Sequence, residues 1–267
     1  MTDTALSPTL AKHRTGAAVW LRLQRPAAMN AISPDLLDEL NVVLDEIESD
    51  DSIRVVIVTG TGRAFCAGAD LKALGNAAGE VDPNKVVEFV AYAGRTIERL
   101  AALGQPVIAG VNGLALAGGL ELLLASDIVV ASTTARIGDA HANYGVIPGA
   151  GGSARLARAV GTQMAKYLAF TGDHFPPSSP VLAGLVSEIV DPDNLDTRLA
   201  ELAASLADKS PLGLRRMKRL ISDAPDQSLS DALAAEQHAL GEQCRSEDFA
   251  EGIAAFAARR TPVYPGR

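Results

Sequence analysis

Apolar and polar positions along the chain switch repeatedly between two periods. The stretch 17–23 (AAVWLRL) reads as a strand, and Arg25-Pro26 then turns the chain. Ser33-Pro34-Asp35 has the order N-cap, first-position proline and first-turn acid, so a helix is expected from Pro34. Leu36, Leu37, Leu40, Val43, Leu44 and Ile47 recur at helical spacing, which leaves Asp38, Glu39, Asp45 and Glu46 on the polar face. The run 54–60 (RVVIVTG) is continuously apolar and β-branched, as a strand covered on both faces would be, and it ends in a glycine-containing loop. A helical stretch over 83–103 leads into a second buried strand at 106–111, a second glycine-rich turn, a helix at 118–126 and strand-like residues 127–131.

Strands alternating with helices argue for an α/β body, and on pattern alone the default is a doubly wound parallel sheet. Beyond Gly151 the pattern changes. Apart from a strand at 185–190, the remainder reads as helices, among them 195–207, 211–222 and 229–242, with no low-complexity linker and no convincing internal repeat. The segment 175–180 (FPPSSP) reads as a rigid turn or extended connection.

Composition narrows the function classes. A chain of 267 residues, 48% hydrophobic and 21% charged, can bury a sizeable core, and its 4% aromatic content makes that core one of small aliphatic side chains. A net charge of -8 and a sequence pI near 5.0 argue against a nucleic-acid surface. The basic run Arg215-Arg216-Met217-Lys218-Arg219 can serve a small anion or simply be a solvated helix face. Cys66 and Cys244 stand far apart in no metal or redox spacing, which fits a reducing cytoplasm. Neither a signal peptide nor a membrane span is expected.

The candidate chemistry lies in the two glycine-rich loops, because both follow buried strands and α/β proteins bind ligands outside the carboxyl ends of strands. In 113–121 (GLALAGGLE), Gly118 and Gly119 open a helix, so their N–H groups lack intrahelical partners. Glycine lets a carbonyl oxygen approach closely, and the helix start favours developing negative charge: the physics of an oxyanion hole. Glu121 sits one turn further on among Leu120, Leu122, Leu123 and Leu124. An acid there either serves the helix dipole or acts as a base beside the held oxygen. In the other loop Ala69 lies between Gly68 and Asp70, and its N–H is a candidate second donor.

RPAAMNA at 25–31, FCAGADLK at 65–72, VNGLALAGGLEL at 111–122 and IPGAGG at 147–152 resemble, in order and spacing, the motifs of the enoyl-CoA hydratase/isomerase (crotonase) superfamily. The residues at 250–264 (AEGIAAFAARRTPVY) are similar to that family's closing helix and tail. The resemblance implies a spiral of ββα units over 1–195, replacing the doubly wound default, and a helical trimerisation region over 196–267. Homotrimers, or dimers of trimers, follow from it. So does an acyl-CoA thioester substrate whose oxygen is held by the N–H groups of Ala69 and Gly118, with no metal or separate cofactor. Coenzyme A contacts are implied at Ala27, Ala28, Met29, Gly68, Asp70, Leu71, Lys72, Gly119 and Arg259. Family members often carry Lys or Arg where this chain has Ala27, which leaves Lys72 and Arg259 as the phosphate partners.

Typical hydratases of this kind use two glutamates, one matching Glu121 and one matching the position of His141. Imidazole exchanges protons near neutral pH, so Glu121 and His141 are expected to form the catalytic pair of an enoyl-CoA hydratase. The same scaffold also supports enoyl-CoA isomerisation, hydrolysis of a carbon–carbon bond in a β-keto thioester, or acyl-CoA binding without catalysis. His141 has a structural alternative as a hydrogen-bonded partner of Asp139 or Tyr144, and the local conformation is not readable from spacing. The run 149–154 (GAGGSA) fits a dinucleotide-binding spacing but follows no clear strand, so it is assigned to bounding the acyl pocket and starting a helix.

Overall fold

A computed structural model describes residues 9–70 and 82–267. The first described element is a hairpin of β1 (Leu10–Thr15) and β2 (Ala18–Leu23), turned at Gly16 with φ +60°. The sequence pattern misses β1 because only Leu10 of its residues is buried, so no alternation marks it. Helix α1 (Pro34–Ser49) starts where the cap predicts, with Ser33 Oγ accepting from the Leu36 N–H at 3.3 Å. Its buried residues are Leu36, Leu37, Leu40, Val43, Leu44 and Ile47, each worth about 1.5–3 kcal/mol of burial.

Next come β3 (Val55–Gly60), β4 (Ala64–Cys66), α2 (Pro83–Ala102), β5 (Val107–Val111), β6 (Leu114–Leu116), α3 (Gly118–Leu124), β7 (Ile128–Ser132) and β8 (Arg136–Gly138). Helices α4 (Gly152–Val160) and α5 (Thr162–Thr171), strands β9 (His174–Phe175) and β10 (Glu188–Val190), and helices α6 (Leu195–Ala207), α7 (Pro211–Asp223), α8 (Leu229–Gln243) and α9 (Glu247–Ala258) complete the order. Ser179 caps a short turn at Pro180–Leu182 after the proline-rich connection.

Two sheets result, one ordered β1-β2-β3-β5-β7-β10 and the other β4-β6-β8-β9. In the pairs β3/β4, β5/β6 and β7/β8 the first strand joins the large sheet and the second the small one, with parallel pairing from each pair to the next. The chain therefore climbs as a spiral of strand–strand units, a repeat of structure that the sequence pattern does not reveal. A doubly wound sheet would put every strand in one layer, and this topology replaces it. The corners stack on one another: Asn112 accepts from the Gly60 N–H at 3.1 Å and donates to the Gly62 carbonyl at 2.9 Å. A side chain at Gly113 would lie 2.1 Å from the Arg63 carbonyl oxygen, so only glycine fits that corner.

The large sheet is buried on both faces, which explains the unbroken apolar run of β3. Val56 and Val58 face the main core with α1, α2 and α3, while Val55 and Ile57 pack with Trp20, Ile108, Leu195 and Leu199 beneath α6. Helices α7 and α8 bury no residue, and Met217, Ile221, Leu229, Leu233, Leu240 and Phe256 on the C-terminal helices are exposed. No helix among the described residues is long and apolar enough to cross a membrane.

Candidate active site

Helix α3 begins against the loop that follows β4. Ala117 precedes it at φ 49° and ψ -115°, a conformation that non-glycine residues rarely adopt, and this bend turns the chain from β6 into the helix. A side chain at Gly119 would sit 2.0 Å from the Cys66 carbonyl oxygen, and one at Gly118 would sit 3.4 Å from the Gly68 Cα. The two glycine-rich loops are therefore in backbone contact, a convergence that spacing alone does not establish. Burial pushes the Cys66 thiol beneath them up to about 12, so it stays protonated packing.

Ala69 is oriented by a single parallel bridge to Ile32. The Ile32 N–H donates to the Gly68 carbonyl and the Asp70 N–H donates to the Ile32 carbonyl, both at 2.8 Å. Alternate backbone groups along an extended segment point to opposite sides, so the Ala69 N–H faces away from Ile32. Among the described residues neither it nor the Gly118 N–H has an acceptor.

Glu121 is 4% exposed. Its Oε1 accepts from the Ala150 N–H at 2.8 Å and from the Gly152 N–H at 2.9 Å, the start of α4. The IPGAGG run thus starts a helix, as predicted, and the unpaired donors of that helix start hold the carboxylate, a role that sequence reasoning missed. The signal was present: a glycine-opened helix leaves N–H groups that call for an anion, and here the anion is a side chain. Two such bonds to a carboxylate are worth about 1.5–3 kcal/mol each, and they fix Oε1 in place. The same occupancy removes the dinucleotide reading of this run.

His141 opens a short turn, His141–Tyr144, after β8. Its Nδ1 lies 2.9 Å from Asp139 Oδ1, which also accepts from the His141 N–H at 3.2 Å. Ala140 between them has φ 60° and ψ -8°, and this left-handed residue folds two positions of a strand end onto each other. The His141 side chain is 12% exposed and that of Asp139 2%.

Ala27 and Ala28 lie in a short turn at Pro26–Ala28 that ends on Met29 at φ 51°. The Ala67 N–H donates to the Met29 carbonyl at 3.1 Å, joining this segment to the Ala69 loop. Asn30, buried and unremarked in the sequence, accepts from the Arg25 N–H at 2.9 Å and donates to the carbonyls of Thr61 at 3.0 Å and Ala64 at 2.7 Å. Arg25 reaches Asp70 at 2.8 Å, so Asp70 braces the loop. Leu71 and Lys72 lie outside the described residues. Arg259 is exposed at the end of α9, with φ 52°. The basic run is largely spent internally: Lys218 pairs with Asp127 at 2.8 Å and Arg219 with Asp223 at 3.5 Å.

A family model described as enoyl-CoA hydratase/isomerase matches residues 14–267. The short-chain-enoyl-CoA hydratase of Clostridium acetobutylicum is 35% identical over 248 residues, which span 92% of this chain and 94% of that one. The 2,3-dehydroadipyl-CoA hydratase of Escherichia coli is 38% identical over 92% of this chain and 94% of its own length. The crystal structure of enoyl-CoA hydratase from Bacillus anthracis superposes with a TM-score of 0.92 at 37% identity, covering 97% of this chain and 100% of the other.

Proposed function

The chain belongs to the enoyl-CoA hydratase/isomerase family, and from that premise we propose that it adds water reversibly to a 2-enoyl-CoA thioester, with Glu121 and His141 as its acid/base pair. The observation that carries this reading is the meeting of two backbone donors, at Ala69 and Gly118, that have no acceptor among the described residues, with a buried carboxylate one turn further along the same helix. The thioester oxygen accepts from both N–H groups and gains negative charge as the enolate forms, where each such donor is worth about 10²–10³ in rate. Glu121, locked through Oε1, orients water with Oε2, and His141 supplies the second proton-exchanging group.

Coenzyme A enters as part of the substrate along Ala27, Ala28, Met29, Gly68, Asp70 and Gly119, and Leu71, Lys72 and Arg259 complete its contacts. The exposed apolar residues of α7, α8 and α9 support assembly of residues 196–267 as a trimerisation region, in a homotrimer or dimer of trimers acting in the cytoplasm. Light scattering on the purified protein tests the assembly, and a monomer would overturn it.

The activity is tested by following loss of the conjugated enoyl absorbance of a short 2-enoyl-CoA. Glu121→Gln is expected to lower kcat by roughly 10²–10⁴-fold while acyl-CoA binding persists. Binding by the parent protein without turnover of enoyl or β-keto thioesters would make it a carrier instead. Turnover confined to isomerisation or carbon–carbon hydrolysis would keep the enolate site and reject hydration.

A further inference from the structure

We propose that Asp139 is a positioning residue that fixes the His141 ring with its proton on Nδ1, leaving Nε2 as the nitrogen that exchanges a proton with substrate. The proposal rests on the reading that His141 takes part in the reaction. Asp139 Oδ1 stands 2.9 Å from Nδ1, and a carboxylate oxygen at that distance is satisfied by an N–H and repelled by a lone pair. The second bond to Oδ1, from the His141 backbone at 3.2 Å, keeps the carboxylate from swinging away.

Two features of this pair oppose stability. Asp139 Oδ2 is buried without a hydrogen-bond partner among the described residues, and Ala140 occupies the left-handed region without being glycine. A histidine kept only for packing would be expected to have fully paired neighbours and an unstrained turn, whereas costs of this kind collect at working sites. No other charged group among the described residues bonds to either side chain. Asp139 and His141 therefore act as one unit in the place of a second carboxylic acid.

The protons balance as follows. In hydration the water oxygen bonds to Cβ, one water proton passes to Glu121, and the π electrons move into the thioester enolate. The enolate electrons then form a C–H bond at Cα with the proton on Nε2 of the charged imidazole. The product has gained OH and H, Glu121 is left protonated, and His141 is left neutral with its Nδ1 proton still bonded to Asp139. Passage of the Glu121 proton through water to Nε2 restores the starting state.

Nitrogen-15 spectra of the histidine-labelled full-length protein decide the point, because the neutral ring reports which nitrogen carries hydrogen. His141 is one of four histidines and is assigned by its loss in His141→Gln. The parent is expected to show the Nδ1–H tautomer. Asp139→Ala should revert it to the Nε2–H form usual for free imidazole and lower kcat about 10²-fold or more with little change in KM. Asp139→Asn, whose amide oxygen still accepts from Nδ1–H, should keep the tautomer and lose less. An Nε2–H tautomer in the parent overturns the proposal even if Asp139→Ala fails to fold, and so does an unchanged tautomer in folded Asp139→Ala. If the parent tautomer is Nδ1–H but His141→Ala retains the hydration rate, the proton-exchange reading fails, and the catalytic meaning of the placement falls with it.

Discussion

The two residues proposed as the acid/base pair are held in opposite ways. Glu121 stands on a regular helix, entered through the positive-φ bend at Ala117, with its carboxylate pinned by the N–H groups of Ala150 and Gly152 where α4 begins. His141 follows the left-handed residue Ala140 and is tied by one carboxylate oxygen, while the other oxygen of Asp139 has no donor among the described residues. One station is fixed by backbone that tolerates no added side chain. The other is fixed by side chains and can be exchanged one residue at a time, and it is here that the chain departs from the paired glutamates that its motif resemblance implies.

The sharpest way to break the comparison is Gly119→Ala. Its Cβ would lie 2.0 Å from the Cys66 carbonyl oxygen, so either α3 or β4 must move. A shift of about 1 Å costs roughly 10² in rate, and displacing an oxyanion donor costs about 10²–10³, so kcat should fall by about 10³ or more. Thermal unfolding should also drop, since overpacking costs about 1–3 kcal/mol. A variant with parental kcat would show that the backbone contact does not hold the station.

Gly152→Ala probes the far side of the same station. The new methyl group would approach Glu121 Oε1 to 3.0 Å and Pro148 Cβ to 2.8 Å, pushing on the carboxylate and on the donor that holds it. The expected result is a loss of about 10²-fold in kcat with KM within a few-fold of the parent, as befits a misplaced catalytic group rather than a lost substrate contact. An effect on KM alone would move this glycine from the acid/base machinery to the acyl pocket.

The second station permits a test in which the sign of an effect reverses. In the parent, Asp139→Asn should lower turnover by about 10-fold through the loss of charge beside the imidazole. In a His141→Glu background the same substitution should raise turnover by a similar factor, because it removes one of two like charges that cannot both ionise comfortably when buried together. The four proteins form a cycle, and equal effects of Asp139→Asn in both backgrounds would sever the coupling between the two residues.

Legibility in the sequence follows the same division. Helix α1 was readable to its cap and its buried face because Ser33-Pro34 and a regular apolar stripe act locally. Strands β4, β6 and β8, of three residues each, are too short for any periodicity, so the second sheet and the spiral came only with the motif resemblance. Gly118 and Glu121 were legible from helix-start physics, but the partner of Glu121 lies 29 residues away at Ala150 and had no local sign. The Asp139–His141 geometry depends on a left-handed alanine, and alanine carries no signal for that conformation.

The smallest effect is expected where a side chain braces a loop without touching the acid/base pair. Arg25 donates to Asp70 at 2.8 Å and to the Ala31 carbonyl at 3.2 Å, spanning the two segments assigned to coenzyme A. The pair is partly open to solvent, with side-chain exposures of 28% and 13%, so screening limits its worth to about 1 kcal/mol. Arg25→Ala should therefore raise KM for the enoyl thioester a few-fold and leave kcat nearly unchanged, since the Ile32 bridge that aims the Ala69 N–H is made by backbone alone. A fall in kcat as large as that of Gly152→Ala would mean that the oxyanion donor at Ala69 depends on this ion pair, and the division between backbone-held and side-chain-held parts of the site would have to be redrawn there.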